Sequence, residues 1–568
     1  MVIFLRNKDF KSGTYRIQCP GVYVLKENIV FSPNRHNNFF PQESDERYSG
    51  PAFILGFFAA ISVECDDVCI DLNGHCLSYS KIYALQQRYG SLIELSSIPF
   101  PPGMGPASFG PKMTCAKRIV IRNGFLGLVS HHSIHGNNNH DVKIENVKCR
   151  NFEVAAISLN GCTKLQINNV VIGPNRQDIP VLGTYSHARF LLYLSKSYLN
   201  KYILDLTDKQ YADICQCIDK LQCCIDTVFD EICATGKTQN SLFANPTGLL
   251  DSNCYGICVY SKGIAVHDLV DESYAQEKSN MITIKNVKIR GLKSHPIEVV
   301  SISEPNGNYV QFDIAGGAFK IFSCMDPHGK YQANPLSDLQ LALACPGLPF
   351  GNMTICKNIV DWSRNPCKSI NDVLNTPYSS YRYRCGGDVM FHLTKGVIGL
   401  RIDGTQNFLI KNVQIHDISN TSWMGNDRDN GKYITSHSYQ SRPQYHGCDT
   451  LALSLSCVDK GKVQNVSISN ICSFNGEACG LYINSKCNEI KFRCIDVSNI
   501  KSGYRKHKGQ WYGKNFEGKI KRYSNKPPNP KPKSIGVHMT EPMNVWNVKK
   551  ITIDNLSGPI TKMYLKNF

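Results

Sequence analysis

A six-residue pattern, apolar–any–apolar–any–Asn–apolar, recurs along the chain and constrains its fold more than any other feature. It stands as Val142-Lys-Ile-Glu-Asn-Val147, Leu165-Gln-Ile-Asn-Asn-Val170, Ile282-Thr-Ile-Lys-Asn-Val287, Phe408-Leu-Ile-Lys-Asn-Val413, Val466-Ser-Ile-Ser-Asn-Ile471 and Ile551-Thr-Ile-Asp-Asn-Leu556. Alternation with period two is the signature of a strand with one buried face. The Asn falls where such a strand must turn, because Asn tolerates the left-handed backbone region and hydrogen-bonds locally. Repeated at one corner of a stack, these side chains can bond from one unit to the next. Val142 lies 23 residues before Leu165 and 23 after Ile119, a length that holds three short strands and three turns. A longer self-match pairs Asn151–Asn160 with Asn475–Asn484, and the eight-residue step from Ile157 to Leu165 recurs from Leu400 to Phe408, with Gly161 and Gly404 at matching places.

A β-sandwich needs hairpins and antiparallel partners, not an Asn at a fixed phase of each unit. A doubly wound sheet needs a helix after each strand, and units of this length have no room for one. A parallel solenoid satisfies the pattern. It also accommodates 568 residues without splitting into several domains, since each coil buries its face on its neighbours.

The segment Asp66-Asp-Val-Cys-Ile-Asp-Leu-Asn-Gly-His75 is similar to the opening coil of pectin-lyase-like right-handed β-helix proteins, in which an Asn-Gly-His turn follows the first alternating strand. The stretches Ser12–Ile17 and Gly21–Pro33 resemble the N-terminal cap of β-helix proteins encoded by giant DNA viruses of amoebae. The expected fold is therefore all-β: a right-handed parallel β-helix of about 23 residues per coil, with long insertions. A cap and first strands occupy 1–60. Coils follow at 61–175, 254–303, 387–500 (interrupted by a polar loop at 419–448) and 535–568. A helical insertion is expected at 176–253, where apolar residues from Leu191 to Phe229 recur at spacings of three and four. A cysteine-rich insertion is expected at 304–386 and a basic aromatic loop at 501–534.

The formal net charge of +17 favours anionic partners: nucleic acid, an acidic glycan, an acidic protein or a lipid surface. No apolar run is long enough to span a membrane. The N-terminal apolar run ends at Arg6, too short for a secretory leader, so synthesis in a host cytosol is expected. The 25 cysteines include no C-x-x-C pair. Those in strand-like segments (Cys65, Cys69, Cys149, Cys162, Cys472, Cys494) fit small buried apolar residues. The insertion cysteines Cys324, Cys345, Cys356, Cys367 and Cys385 suit disulfides if the chain ends in an oxidised particle.

The resemblance to polysaccharide lyases and hydrolases directs attention to carboxylates and basic groups on outer strand faces. The paired-Asp, Gly-His-Gly and Arg-Ile-Lys set of polygalacturonases is absent, as are the Trp-Ile-Asp-His and Arg-x-Pro-x-x-Arg segments of pectate lyases. Asp326-Pro-His328 matches only part of the mannuronan epimerase motif, because Ser323 stands where that family has Tyr. Four clusters remain. His131, His132, His135 and His140 are candidate metal ligands or a polar turn. Trp423 with Asp427, Arg428 and Asp429 suits a sugar platform or a solvated loop. His446 with Asp449 suits an acid–base pair. From Lys501 to Lys533 eleven basic residues stand against Glu517 with aromatics between them. There Arg505, Lys506, Lys508, Trp511, Tyr512, Lys521 and Arg522 are the candidate contacts for nucleic acid or an acidic glycan.

The leading expectation is a structural or binding component of a large DNA virus particle. Its insertions would contact other virion proteins, further copies of itself or surface glycans. A lyase or hydrolase of an acidic polysaccharide is the alternative, and calcium enters only there. A packaging protein that binds nucleic acid through 501–534 is the third reading. No cofactor is expected.

Overall fold

The computed structural model describes residues 1–175 (with breaks at 38, 43, 55, 87–89 and 103–108), 254–261, 277–293, 396–420, 450–473, 477–483, 487–502 and 533–539. It also describes five helical residues between 208 and 222 and the backbone of short strands at 301–302, 312–313, 506–507, 510–514, 520–522 and 548–557. Twenty-one strands form one continuous sheet in which each pairs in parallel with the strand of the next coil. Parallel pairing without hairpins is the solenoid geometry that the repeat demands.

The coil has three arms, and single runs such as His132–Cys149 and Ala155–Ile172 pass through all of them. Corners between arms are made by single residues with positive φ. Arg118 and Asn123, Asp141 and Asn146, Lys164 and Asn169, Met281 and Asn286, Asn407 and Asn412, and Lys460 and Asn465 are such pairs, each five residues apart. Between the two corners the chain alternates inward and outward. The inward column Ile121, Ile144, Ile167, Ile284, Ile410, Val463 and Phe492 is almost wholly buried and in register from coil to coil. Burying each such side chain contributes about 1.5–3 kcal/mol, so this column and the parallel inward columns hold the coils together.

The corner amides do stack. Asn146 donates to Asn123 at 3.2 Å, Asn169 to Asn146 at 2.7 Å, Asn412 to Asn286 at 3.0 Å and Asn465 to Asn412 at 3.1 Å. Asn286 instead bonds Asn168 at 2.9 Å. One detail corrects the reading of the repeat. Val466 pairs with Val413 and Ile551 with Ile495, so the copies at 466–471 and 551–556 lie one arm later than the others. The true counterpart of Phe408–Asn412 is Gly461–Asn465. Two successive corners use the same chemistry, and hydrophobic periodicity alone does not separate them.

Gly461 shows how the interior is filled. It pairs with Phe408, and a Cβ on it would fall on the Phe408 ring. The bulky side chain in one coil thus takes space that the next coil leaves.

In the insertion at 176–253 the described residues Asp208, Ala212, Cys215, Asp219 and Gln222 are helical. Within 501–534, three short antiparallel strands, Lys506–His507, Gln510–Lys514 and Ile520–Arg522, form a ribbon off the column. Among the described residues no helix is long and apolar enough to cross a membrane.

Candidate functional site

Two outer faces of the coils carry chemistry, and they are built in opposite ways. On the first, strands Ser91–Glu94, Ala155–Asn160, Cys254–Tyr260, Val397–Asp403, Thr450–Ser456 and Ala478–Ile483 are buried along their whole length, outward residues included. Inward positions hold Ile93, Ile134, Ile157, Ile257, Leu400 and Leu453. The adjacent outward row, in register, reads Ser62, Glu94, His135, Ser158, Cys258, Arg401, Ser454, Tyr482 and His538.

A charged side chain in such a place must be neutralised locally. Glu94, 2% exposed, accepts from His135 Nδ1 at 2.7 Å and lies within bonding distance of the Ser91 and Ser96 hydroxyls. With Nδ1–H committed to Glu94, the other ring nitrogen accepts from the Asn160 amide at 3.2 Å. His132 stacks on His135 with ring centroids 4.7 Å apart, and His131 Nδ1 is 3.0 Å from His132 Nδ1. Three coils on from His135, Arg401 pairs with Asp403 at 2.7 Å and lies 5.5 Å from the Tyr260 ring. Burial pulls the Arg401 guanidinium down, but Tyr260 and Asp403 outweigh it and hold the group above its ordinary value. Burial also pushes the Cys258 thiol up to about 12. The row is thus a succession of internally compensated pairs, with one imidazole oriented as an acid–base group.

The second face lies between the two corners of each coil and is open. In its N-terminal coils the charges are paired: Arg122 with Asp71 at 2.9 Å, Lys143 with Glu145 at 2.7 Å, and Lys164 with Asp141. In the C-terminal coils the carboxylates of this row disappear. The outward row continues as Asn168, Lys285, Lys411, Gln464 and Arg493, and its neighbour as Gln166, Thr283, Leu409, Lys462 and Lys491. Among the described residues no ion pair engages Lys285, Lys411, Lys460, Lys462, Lys491 or Arg493. A groove of about 480 Å3 opens here, lined by Asn407, Lys460, Gly461, Lys462, Glu489 and Lys491.

The sequence-derived sites fare unevenly. His131, His132 and His135 come together, whereas His140 is exposed on another arm opposite Thr163. No group of three His, Cys, Asp or Glu suited to a metal occurs among the described residues. Trp423, Asp427, Arg428, Asp429, His446 and Asp449 lie outside the described residues, as do Arg505 and Lys508. Lys506 is opposite Trp511, and Tyr512 opposite Arg522, in the backbone of the ribbon. Of the strand cysteines, Cys149 and Cys162 are buried, but Cys65, Cys69, Cys472 and Cys494 are only half-buried. Glu94, Arg401 and the lysine rows were not singled out. Aligning the repeats on the corner Asn would have found Lys285 and Lys411, each one residue before it.

No family model matches the chain, and no curated protein does. Among solved structures, it is similar to PfbA, a surface adhesin of Streptococcus pneumoniae, at 9% identity over 92% of this chain and 81% of that one, with a TM-score of 0.30. It is also similar to the A-module of the Azotobacter vinelandii mannuronan C-5 epimerase AlgE4, at 10% identity over 88% and 82%, with a TM-score of 0.18. Likeness at this level carries no activity or ligand across; the parallel β-helix is established by the strand pairing of the chain itself.

Proposed function

We propose that the chain is a structural and binding β-helix of a large DNA virus particle, with the open basic face of its C-terminal coils holding an acidic glycan. The observation that carries the binding reading is the set of cations beside the groove that, among the described residues, make no ion pair. Coils stack at about 4.8 Å, so these cations recur at a spacing close to the length of one sugar ring. The amides of Asn407 and Gln464 and the carboxylate of Glu489 add groups that bond hydroxyls. No aromatic side chain belongs to these two rows, and nucleobase stacking would call for one. This reading puts a binding surface on the coils themselves. The particle setting is supported by the resemblance of the N-terminal segments and by the net charge.

An acid–base enzyme acting on such a glycan is the second reading, favoured by the Glu94–His135 pair. One experiment separates the two. The full chain is titrated with polygalacturonate and with a sulfated glycan at several salt concentrations, and the same samples are followed for the ultraviolet absorbance of unsaturated uronate. Lys462→Glu/Lys491→Glu should weaken binding at least tenfold, and binding should fall steeply with salt. Unchanged affinity in that variant rejects the assigned face. Product formation that disappears in His135→Gln establishes the enzyme. Counting copies of the chain in purified particles by mass spectrometry tests the setting, and absence from particles rejects it.

A further inference from the structure

We propose that Cys19 and Cys65 are a disulfide-forming pair that clips the first coil of the column to the next one. Tyr15–Ile17 pairs in parallel with Ile61–Val63, and among the described residues it has no strand on its other side. Two backbone bonds bracket the segment that follows: Glu64 N–H donates to Ile17 O at 2.8 Å, and Gly21 N–H to Asp67 O at 3.1 Å. Between them the Gln18 amide donates to Glu64 at 3.1 Å, and the second chain gains one residue on the first before Gly21 pairs with Val68. Continuing the Ile17–Val63 offset sets Cys19 over Cys65, and counting back from Gly21–Val68 sets it over Asp66, so Cys65 lies over Cys19 or one residue beside it. The stacking distance of about 4.8 Å lies within the Cα separations of about 4.4–6.8 Å that a disulfide spans.

The surroundings agree. Cys19 is exposed, and Cys65 is half-buried where it packs on the edge of the core. Burial raises the Cys65 thiol, and the neighbouring Cys19 raises it further. Tyr23, whose hydroxyl donates to the Cys19 carbonyl at 2.7 Å, is pushed up to about 12 by burial and then by Tyr15, Cys65 and Cys19. The other strand cysteines lack this arrangement. Cys69 stands opposite Val22 and Val120, Cys162 opposite Asn139, Cys258 opposite Ser158 and Arg401, and Cys472 opposite Ser419 and Lys501.

The reaction needs a small disulfide such as oxidised glutathione. The exposed Cys19 thiolate attacks one of its sulfurs and releases one glutathione thiolate. The Cys65 thiolate then attacks Cys19 Sγ and releases the second. Two protein thiols lose two electrons and two protons, and one glutathione disulfide becomes two glutathiones. Because Cys65 sits above its ordinary value, the second step quickens as pH rises. The product closes a loop around the outermost coil, where the sheet ends.

The pairing is tested on the reduced full chain incubated with oxidised glutathione, alkylated with N-ethylmaleimide, digested without reductant and mapped by mass spectrometry. The expected result is a dominant Cys19–Cys65 link that forms faster at higher pH. It should be accompanied by a rise of several degrees in Tm that dithiothreitol reverses and that Cys19→Ser and Cys65→Ser both lack. Two alkylated or separately glutathionylated thiols without a link overturn the pairing. A link without the Tm rise overturns the clip.

Discussion

The corners of this column are single residues, and their chemistry is narrow. A side chain at positive φ is strained by about 1–2 kcal/mol unless it is Gly or can bond locally, as Asn and Asp can. Asn146 meets that condition and also links Asn123 to Asn169. Cys494 holds the same kind of corner with φ 54 but has no amide, and the ladder of amides stops at Asn465 in the coil before it. The buried thiols define a second property at this scale. Cys149 and Cys258 are wholly buried and pushed up to about 12, above the ordinary thiol value of 9.0 reached in the unfolded chain. Between these values the folded state keeps a proton that the unfolded state has lost. Stability is therefore fully present below pH 9 and falls as pH rises toward 12. At one unit above the unfolded value each thiol withdraws about 1.4 kcal/mol. Denaturant titrations from neutral to alkaline pH should show this limb, and Cys149→Ala should flatten it.

At the scale of one arm, stability depends on how consecutive coils share volume. Gly461→Ala places a methyl against the Phe408 ring and should lose about 1–3 kcal/mol, measured by denaturation. Phe408→Leu in the same chain should restore part of that loss, a coupling expected only if the two residues compete for the same space. Much of the arm was legible in advance. The alternation and the positive-φ Asn are local properties, and Gly161 and Gly404, at matching places in the repeat, both stand at positive φ. The phase of Val466–Ile471 was not legible, because both corners accept Asn and both arms alternate. Only the pairing of Val466 with Val413 decides it. The same limit hid the site residues. Glu94 and His135 are 41 positions apart, and Lys411 and Arg493 are brought into one row by pairing across an intervening coil.

At the scale of the molecule, each coil contacts its neighbours and little else, so stability is close to a sum of coil and interface terms. The ends then differ from the middle. Among the described residues Val2–Leu5 pairs only with Gly21–Leu25, while His132–Cys149 is held on both sides by three other strands. Hydrogen exchange of the reduced chain should be fastest at Val2–Leu5 and Tyr15–Ile17, and slowest in His132–Cys149. Uniform protection along the column would contradict the additive picture. Charge is distributed unevenly as well: among the described residues it is paired on the open face of the early coils and unpaired on the two outward rows of the late ones. Composition shows the net surplus but not where along the rod it collects.

The register survives interruption. Leu165 pairs with Val142, 23 positions earlier, and equally with Ile282, 117 positions later. Lengthening a flexible connection by that ratio costs only about 1.4 kcal/mol in chain entropy. Selection can therefore lengthen, shorten or replace an excursion between two coils while the rod beneath keeps its stacking. Lineages of such a chain should diverge by exchanging whole excursions, with the alternating segments changing slowly and the surface they carry changing fast.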